Sequence, residues 1–139
     1  MFETTNFGKF TDIVHRSMDT NAYRRSVIAD NIANADTPEF KRSVVNFETM
    51  LGYALSTEKQ PRFRTAVTNE RHIAFSRSMD YKEVRPRRIL DFTNSTKNNG
   101  NNVDIEQESV LAMQNQLSYE LMIQSMNNSF DRINMVIGG

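Results

Sequence analysis

The clearest pattern of hydrophobic and polar positions lies in the last third of the chain. From residue 103 to residue 137 the sequence contains neither proline nor glycine, and its apolar residues recur at helical spacing. Asp104 is a favourable N-cap, and Glu106 and Glu108 follow in the first turn, where the helix dipole favours negative charge. The pattern predicts one helix over residues 104–137, roughly 50 Å long at about 1.5 Å per residue.

This C-terminal helix is predicted to carry two apolar faces. At about 100° per residue, one face holds Val103, Val110, Met113, Leu117 and Leu121, and the nearly opposite face holds Tyr119, Met122, Met126, Phe130, Ile133 and Ile137. A single helical partner covers only one of these faces. We therefore expect the helix to contact two neighbours, and a chain of 139 residues has few segments of its own to supply them.

A second long amphipathic helix is predicted from Phe7 to about Ala33. Its apolar side is formed by Phe7, Phe10, Val14, Met18, Ile28 and Ile32. Asn21 and Arg25 interrupt this side at inward positions. Such a polar break either fixes the register of a helix pair or faces a carboxylate of a partner, and both interpretations stay open.

Residues 31–42, with the sequence NIANADTPEFKR, are predicted to end this helix. Asn34 is suited to a left-handed C-cap, and Pro38 disfavours helical backbone at the preceding residue. Lys41 and Arg42 follow, and positive charge is favourable near the negative end of a helix. From the residues alone, this segment is a helix cap and turn.

The middle of the chain has weaker signals. Residues 46–56 predict a short helix with Asn46 as its cap, and residues 93–102 are a polar linker. Short strands are predicted within residues 57–92, at Phe63, Ala66 and Val67, at Ile73, Ala74 and Phe75, and at Val84, Ile89 and Leu90. The predicted fold is mainly α, with the two long helices paired as an antiparallel, coiled-coil-like hairpin, in three parts: 1–42, 43–102 and 103–139.

Composition limits the possible functions. Seventeen basic and seventeen acidic residues cancel, so no global field attracts nucleic acid or an anionic membrane. The absence of cysteine excludes disulfides and thiolate chemistry. The N-terminal stretch lacks the pattern of a cleavable secretory signal, and no segment is apolar enough to suggest a membrane span.

Candidate chemistry is sparse. The two histidines, His15 and His72, lie on a polar helix side and in the weakly patterned middle, so we predict no catalytic residue, metal site or cofactor. Residues 62–88 hold eight Lys or Arg residues against three acids. A nucleic-acid-binding helical protein therefore stays an alternative, with salt-sensitive binding through Arg62, Arg64, Arg87 and Arg88.

Two segments together resemble the flagellar basal-body rod family. The family's N-terminal motif is matched by Asn31, Ile32, Ala33, Asn34, Thr37, Pro38, Lys41 and Arg42, while Glu39 and Phe40 replace a glycine and a tyrosine. The segment that opens the family's C-terminal helix is similar to Asn101, Asn102, Val103, Asp104, Glu108, Asn115, Gln116, Leu117 and Tyr119. The compact middle favours the proximal-rod branch, with another branch such as FlgC as the alternative.

The resemblance implies a non-enzymatic structural subunit of the proximal rod, in the periplasmic portion of the basal body. Implied partners are other copies of the chain, other rod proteins, the adaptor FliE, the membrane-embedded ring and the flagellar type III export apparatus. The family assembles through its terminal helices. This assigns an assembly interface to the apolar residues of the two long helices, namely Phe7, Phe10, Val14, Met18, Ile28, Ile32, Val110, Met113, Leu117, Leu121, Met122, Met126, Phe130, Ile133 and Ile137.

Overall fold

Two long helices dominate the fold. The structure is a computed structural model that describes residues 6–58, 68–69, 71, 79–92 and 98–138. The elements in chain order are α1 (Asn6–Ala33), β1 (Ser43–Asn46), α2 (Glu48–Glu58), a turn of 3₁₀ helix (Tyr81–Glu83), β2 (Arg87–Leu90) and α3 (Ile105–Ile137). They form two compact units, one from Met1–Val45 with Arg88–Gly139 and one from Asn46–Arg87.

The α3 helix begins where its capping residue predicts. The Asp104 carboxylate accepts hydrogen bonds from the backbone N–H groups of Glu106, at 2.9 Å, and Gln107, at 3.4 Å. Asp104 itself has extended backbone angles, as an N-cap residue requires. The helix then continues for 33 residues to Ile137.

The two long helices pack against each other in antiparallel orientation. The Asn31 side-chain amide donates to Glu108 at 3.1 Å. Further along, the Asn115 amide donates to the Asn21 carbonyl at 3.0 Å, and the rings of Phe7 and Phe130 meet edge to face with centroids 5.9 Å apart. Positions on α1 fall as positions on α3 rise, which confirms the predicted antiparallel pair.

The buried face of α1 differs from the predicted stripe in the second half of the helix. The buried residues there are Thr20, Asn21, Val27, Ile28 and Asn31. Asn21 lies inward as predicted, but Arg25 is exposed, and Ile32 is 37% exposed. The prediction for Arg25 is wrong because the face that α1 buries turns toward Val27 and Asn31.

A two-stranded sheet connects to this helix pair. The Asp91 N–H donates to the Arg42 carbonyl at 2.8 Å, which places the residue before β1 beside the residue after β2. The strands therefore run antiparallel. Ile89 and Leu90 lie in β2 as predicted, whereas the predicted strand residues between Phe63 and Phe75 lie outside the described residues.

The second unit has a small core of its own. Phe47, Leu51 and Ala54 are buried, as are Tyr81 and Val84. The helix predicted for residues 46–56 begins instead at Glu48, because Asn46 belongs to β1. Val84 is not in a strand; it follows the 3₁₀ turn, and its N–H donates to the Tyr81 carbonyl.

Within the described ranges, none of the helices combines the length and apolar character that crossing a bilayer requires.

Candidate functional site

Asn31 lies at the centre of the contact between the two ends of the chain. Its side chain is fully buried. The amide oxygen accepts from the Ser43 N–H at 3.0 Å, and the amide nitrogen donates to the Ser43 carbonyl at 2.8 Å and to the Glu108 carboxylate at 3.1 Å. One residue of α1 thereby binds both β1 and α3.

Arg42 contributes two ion pairs to the same contact. Its Nε lies 2.5 Å from Oε1 of Glu108, and its Nη1 lies 3.0 Å from Oδ2 of Asp91. The Glu108 side chain is 1% exposed and the Arg42 side chain 14%, so both charges are largely removed from water. The buried Glu108 carboxylate therefore depends on Arg42 for compensation of its charge, whereas Arg42 has Asp91 as a second partner.

The charge state of Arg42 follows from these partners. Burial alone lowers the pKa of Arg42, but the hydrogen bonds and negative charges of Glu108 and Asp91 outweigh that effect and raise the pKa above its ordinary value. The guanidinium therefore stays charged throughout the physiological pH range.

Glu108 and Arg42 have different roles from those predicted. The sequence places Glu108 among the first-turn acids that complement the helix dipole, as the exposed Glu106 can, but Glu108 is instead the buried partner of Arg42. Lys41 and Arg42 were expected near the negative end of α1. Lys41 donates instead to the Gly100 carbonyl at 2.7 Å, and Arg42 binds carboxylates, because the chain turns into β1 after α1.

The Asn101 side chain forms hydrogen bonds with the backbone of the turn that follows α1. Its amide nitrogen lies within 3.0 Å of the carbonyl oxygens of Asn34, Ala35 and Thr37, and its amide oxygen accepts from the Val103 N–H at 2.7 Å. These three carbonyls belong to the turn that follows α1, which ends at Ala33, and backbone carbonyls removed from water need hydrogen-bond donors. A single side chain from the other end of the sequence supplies them.

The side-chain amide of Asn102 forms hydrogen bonds beside the two-stranded sheet, as a backbone peptide group of a strand would. Its amide oxygen accepts from the Arg42 N–H and its amide nitrogen donates to the Asp91 carbonyl, both at 2.7 Å. Residues 93–102 were predicted to be a polar linker. At Asn101 and Asn102 this prediction is wrong, since both side chains are buried at the start of α3.

Glu39 takes the left-handed backbone conformation that a glycine would adopt without strain. Its φ is 61°, and it is the one non-glycine residue with positive φ in the described part of the chain. Asn34, predicted as the left-handed residue, does not have this conformation. Glu39 lies against Gly100, whose φ is 77°, and its N–H donates to the Asn99 carbonyl at 3.0 Å.

The remaining residues of the N-terminal motif are more exposed. Asn34 donates from its side chain to the Asp30 carbonyl and accepts from the Thr37 hydroxyl. Ile32, Ala33 and Pro38 are exposed, so the burial of the motif is concentrated at Asn31 and Arg42. We name the buried polar cluster of Asn31, Arg42, Asp91, Asn101, Asn102 and Glu108 the terminal junction.

The α3 helix leaves one of its apolar faces uncovered. Val110, Met113, Leu117 and Leu121, here named the α3 stripe, are between 54% and 68% exposed. Met122, Met126 and Ile133 on the opposite side are partly buried, and Phe130 contacts Phe7. Val103 lies before the start of α3 and is fully buried, and Ile137 is 80% exposed at the helix end.

The predicted residues of α1 are partly covered. Ile28 is buried, Phe7, Val14 and Met18 are intermediate, and Phe10 is 39% exposed. The sequence interpretation missed Val27 and Asp91. The inward position of Val27 could have been found by centring the helical wheel on Asn31, whereas no local pattern marks Asp91 as a partner of Arg42.

The two histidines and the arginines of the basic segment can be located where they fall within the described ranges. His15 is exposed and lies 3.4 Å from the carboxylate of Asp19 one turn away, while His72 lies outside those ranges. No group of three or more His, Cys, Asp or Glu side chains is arranged there to hold a metal ion. Arg87 and Arg88 are exposed in β2, and Arg88 pairs with Asp30.

Comparison of the sequence with known protein families gives a match to part of the chain. Residues 17–41, which include most of α1 and the turn with Glu39, match the family described as flagella basal body rod protein. The motif that matches contributes Asn31 to the terminal junction.

Relatives that align with most of the chain are all rod proteins of one kind. The flagellar basal body rod protein FlgB of Borreliella burgdorferi is 39% identical over 95% of this chain and 98% of its own length. FlgB of Borrelia hermsii is 40% identical over 94% of this chain and 97% of its own length, and FlgB of Bacillus subtilis is 31% identical over 84% and 83%.

The protein is thus a structural subunit of the flagellar basal body rod. Within that class, the chain belongs to the family of the rod protein FlgB.

Proposed function

We propose that the α3 stripe is the surface through which this rod subunit packs against neighbouring subunits. The observation that carries the proposal is the exposure of four large apolar side chains along one side of a helix whose other side is occupied by α1. A contiguous exposed apolar surface of this kind is typical of a protein–protein interface.

The arrangement also supports open-ended assembly. The α3 stripe differs in composition from the outer surface of α1, where Phe10, Tyr23 and Ile32 are between 37% and 39% exposed among polar residues. A contact between two different surfaces repeats from one subunit to the next and builds a helical array unless the rotation closes a ring. Such an array suits an axial rod that transmits torque through packed helices.

Family membership supports the finer proposals. We infer that the subunit contacts other copies of itself and other rod proteins in the periplasmic portion of the basal body. We also infer contacts with the adaptor FliE and the membrane-embedded ring at the rod base. Delivery by the flagellar type III export apparatus and a purely structural, non-catalytic role complete the proposal.

Leu117→Asp tests the proposal directly. Leu117 is 54% exposed, so a carboxylate there leaves the folded subunit intact but places an unpaired charge in the proposed interface. In cells that carry only this variant, we expect isolated basal bodies to lack complete rods in electron micrographs. The purified variant should keep its helical circular dichroism spectrum.

Ser118→Asp is the matched control. Ser118 is also exposed on α3 but lies about 100° around the helix from Leu117. It introduces the same charge outside the α3 stripe, and rods should form normally. Complete rods in the Leu117→Asp strain, or equal loss of rods in both strains, would contradict the assignment of the interface.

A further inference from the structure

We propose that the outer edge of β2 is a self-association surface, through which two copies of the free chain join their sheets about a two-fold axis. In the described part of the chain, β2 pairs with β1 alone, so its other side is an edge of the sheet. Two copies joined at this edge form one continuous four-stranded sheet from two two-stranded ones. The contact is separate from the α3 stripe and does not depend on it.

The register of the sheet decides which backbone groups of β2 face outward. The Asp91 N–H donates to the Arg42 carbonyl at 2.8 Å, so the backbone of Asp91 is directed toward β1. Backbone groups alternate in direction along an antiparallel strand, and those of Arg88 and Leu90 therefore point away from β1. Each of these residues has an N–H donor and a C=O acceptor for a further strand.

The opposite edge of the same sheet is covered from within the chain. The Ser43 N–H and carbonyl both bond to the side-chain amide of Asn31, at 3.0 and 2.8 Å. The Val45 carbonyl accepts from the Arg24 guanidinium at 3.5 Å. Since a strand edge with unpaired backbone groups is a template for another strand, the β2 edge is the one suited to pair with a second copy.

The side chains along β2 also favour a further strand. Ile89 is 45% exposed, Leu90 is 50% exposed, and Phe92, just beyond the strand, is 78% exposed. Apolar side chains on an edge gain free energy when another strand removes them from water. Arg88 adds a charge, but its guanidinium pairs with the Asp30 carboxylate of the same chain at 3.0 Å. The charge that commonly protects an edge strand from pairing is thus compensated here.

Self-complementarity selects a second copy as the occupant of this edge. When Ile89 lies on the two-fold axis, Arg88 of each copy is opposite Leu90 of the other, and each such pair exchanges backbone hydrogen bonds in both directions. The two Ile89 side chains then meet at the closer, non-hydrogen-bonded position. Phe92 lies diagonally across from Arg88 of the second copy, where an aromatic ring can reach the guanidinium.

The two neighbouring registers are less favourable. One of them places the Arg88 side chains of the two copies directly opposite each other, and like charges at opposite positions are destabilising. The other places Ile89 opposite Asp91, whose carboxylate is bound to Arg42. The register with Ile89 on the axis avoids both arrangements.

The two-fold contact belongs to the free subunit. Because it uses the same surface on both copies, it closes after two chains and does not extend into an array. Copies related by a two-fold axis also point in opposite directions, whereas one repeated contact between different surfaces gives all subunits of a rod the same direction. The pair therefore separates before a chain is added to the rod.

Disulfide trapping tests the contact, because the chain has no cysteine of its own. In Ile89→Cys the two introduced thiols lie opposite each other, with Cα atoms about 4.5 Å apart, which a disulfide can span. In Leu90→Cys, the matched control, the Cα atoms are on different rungs and more than about 7 Å apart, which a disulfide cannot span. After mild oxidation of the purified chains, non-reducing electrophoresis should show about tenfold faster cross-linking of Ile89→Cys.

Two further substitutions in the Ile89→Cys background identify the surface that is used. Leu90→Pro removes an N–H that points away from β1, so the sheet stays paired but cross-linking should fall to the level of the Leu90→Cys control. Leu117→Asp should leave cross-linking unchanged, because the α3 stripe takes no part in this contact. Circular dichroism checks that each chain is folded.

Equal cross-linking of Ile89→Cys and Leu90→Cys would overturn the proposal. Cross-linking that persists with Leu90→Pro would overturn it as well, since the outward N–H would then not be used. Loss of cross-linking with Leu117→Asp would assign the association to the α3 stripe, which contradicts the β2 contact and leaves the proposed assembly surface intact.

Discussion

Arg42 and Glu108 lie 66 residues apart in the chain and form a direct ion pair at the terminal junction. Because the Glu108 side chain is 1% exposed, water cannot replace either partner without opening the contact between α1, β1 and α3. A buried pair of this kind contributes less to the free energy of folding than its Coulomb attraction suggests, but loss of Glu108 removes one of the two ion pairs of Arg42 and an acceptor of Asn31.

Removal of Glu108 should therefore be costly. We expect Glu108→Ala to lower the free energy of unfolding by about 3 kcal/mol, the cost typical of breaking a buried pair. Urea unfolding followed by circular dichroism measures the change. As a control, Asp30→Asn breaks the exposed pair with Arg88 and should cost no more than about 1 kcal/mol. Similar losses in both variants would contradict the role assigned to burial.

Asn31 and Asn34 occupy the same sequence motif but should respond differently to the same substitution. Asn31→Asp directs a carboxylate oxygen at the Ser43 carbonyl and the Glu108 carboxylate, and we expect a loss of about 3 kcal/mol or more. Asn34→Asp loses only an exposed bond to the Asp30 carbonyl and should cost about 1 kcal/mol. Thermal unfolding of the two variants compares them, and equal losses would count against the importance of Asn31.

Asn101 should be intolerant of the loss of its amide nitrogen. Asn101→Asp keeps the shape of the side chain and the bond to the Val103 N–H but removes the donor to three carbonyls after α1. We expect the free energy of unfolding to fall by about 3 kcal/mol, since the carboxylate would face these carbonyls. Hydrogen exchange at the end of α1 should accelerate.

The exposed Asn98→Asp variant is the control for Asn101, because it introduces the same charge nearby. It should change the free energy of unfolding by less than about 0.5 kcal/mol. If Asn101→Asp is as stable as this control, the three hydrogen bonds to Asn101 do not hold the turn.

Substitution of Glu39 is expected to raise the free energy of unfolding instead of lowering it. Left-handed backbone at a non-glycine residue costs about 1–2 kcal/mol, so Glu39→Gly should raise the free energy of unfolding by about 1 kcal/mol after the entropy of glycine is subtracted. Asp36→Gly removes the same charge from the same turn at a residue without positive φ. It should bring no gain, and an equal gain in both variants would point to charge instead of backbone strain.

Local features of the fold could be predicted from the sequence because their causes are local. The Asp104 cap and the uninterrupted periodicity define α3 to within one residue of the predicted start. The opposed apolar faces were also visible, and the structure confirms that one contacts α1 while the α3 stripe is exposed.

The terminal junction could not be predicted because its partners are distant in sequence. A glutamate in the first turn of a helix has a sufficient local explanation, so nothing in the sequence around Glu108 indicates Arg42. The strand β1 was missed because a four-residue segment with two valines carries almost no periodic signal. The left-handed residue was placed at Asn34 on intrinsic preference, whereas the Asn99 carbonyl and the neighbouring Gly100 select Glu39.

The distance in sequence between Arg42 and Glu108 also sets an order of events during synthesis. When the residues of α1 and β1 have been synthesised, Glu108, the partner of Arg42, has not yet been added to the chain. The same holds for Asn101, which binds the turn after α1. The hydrogen bonds of Asn31, Arg42 and the turn after α1 therefore stay incomplete until residues 101–108 have been synthesised. A nascent chain released early would expose this polar surface, which distinguishes an unfinished subunit from a finished one.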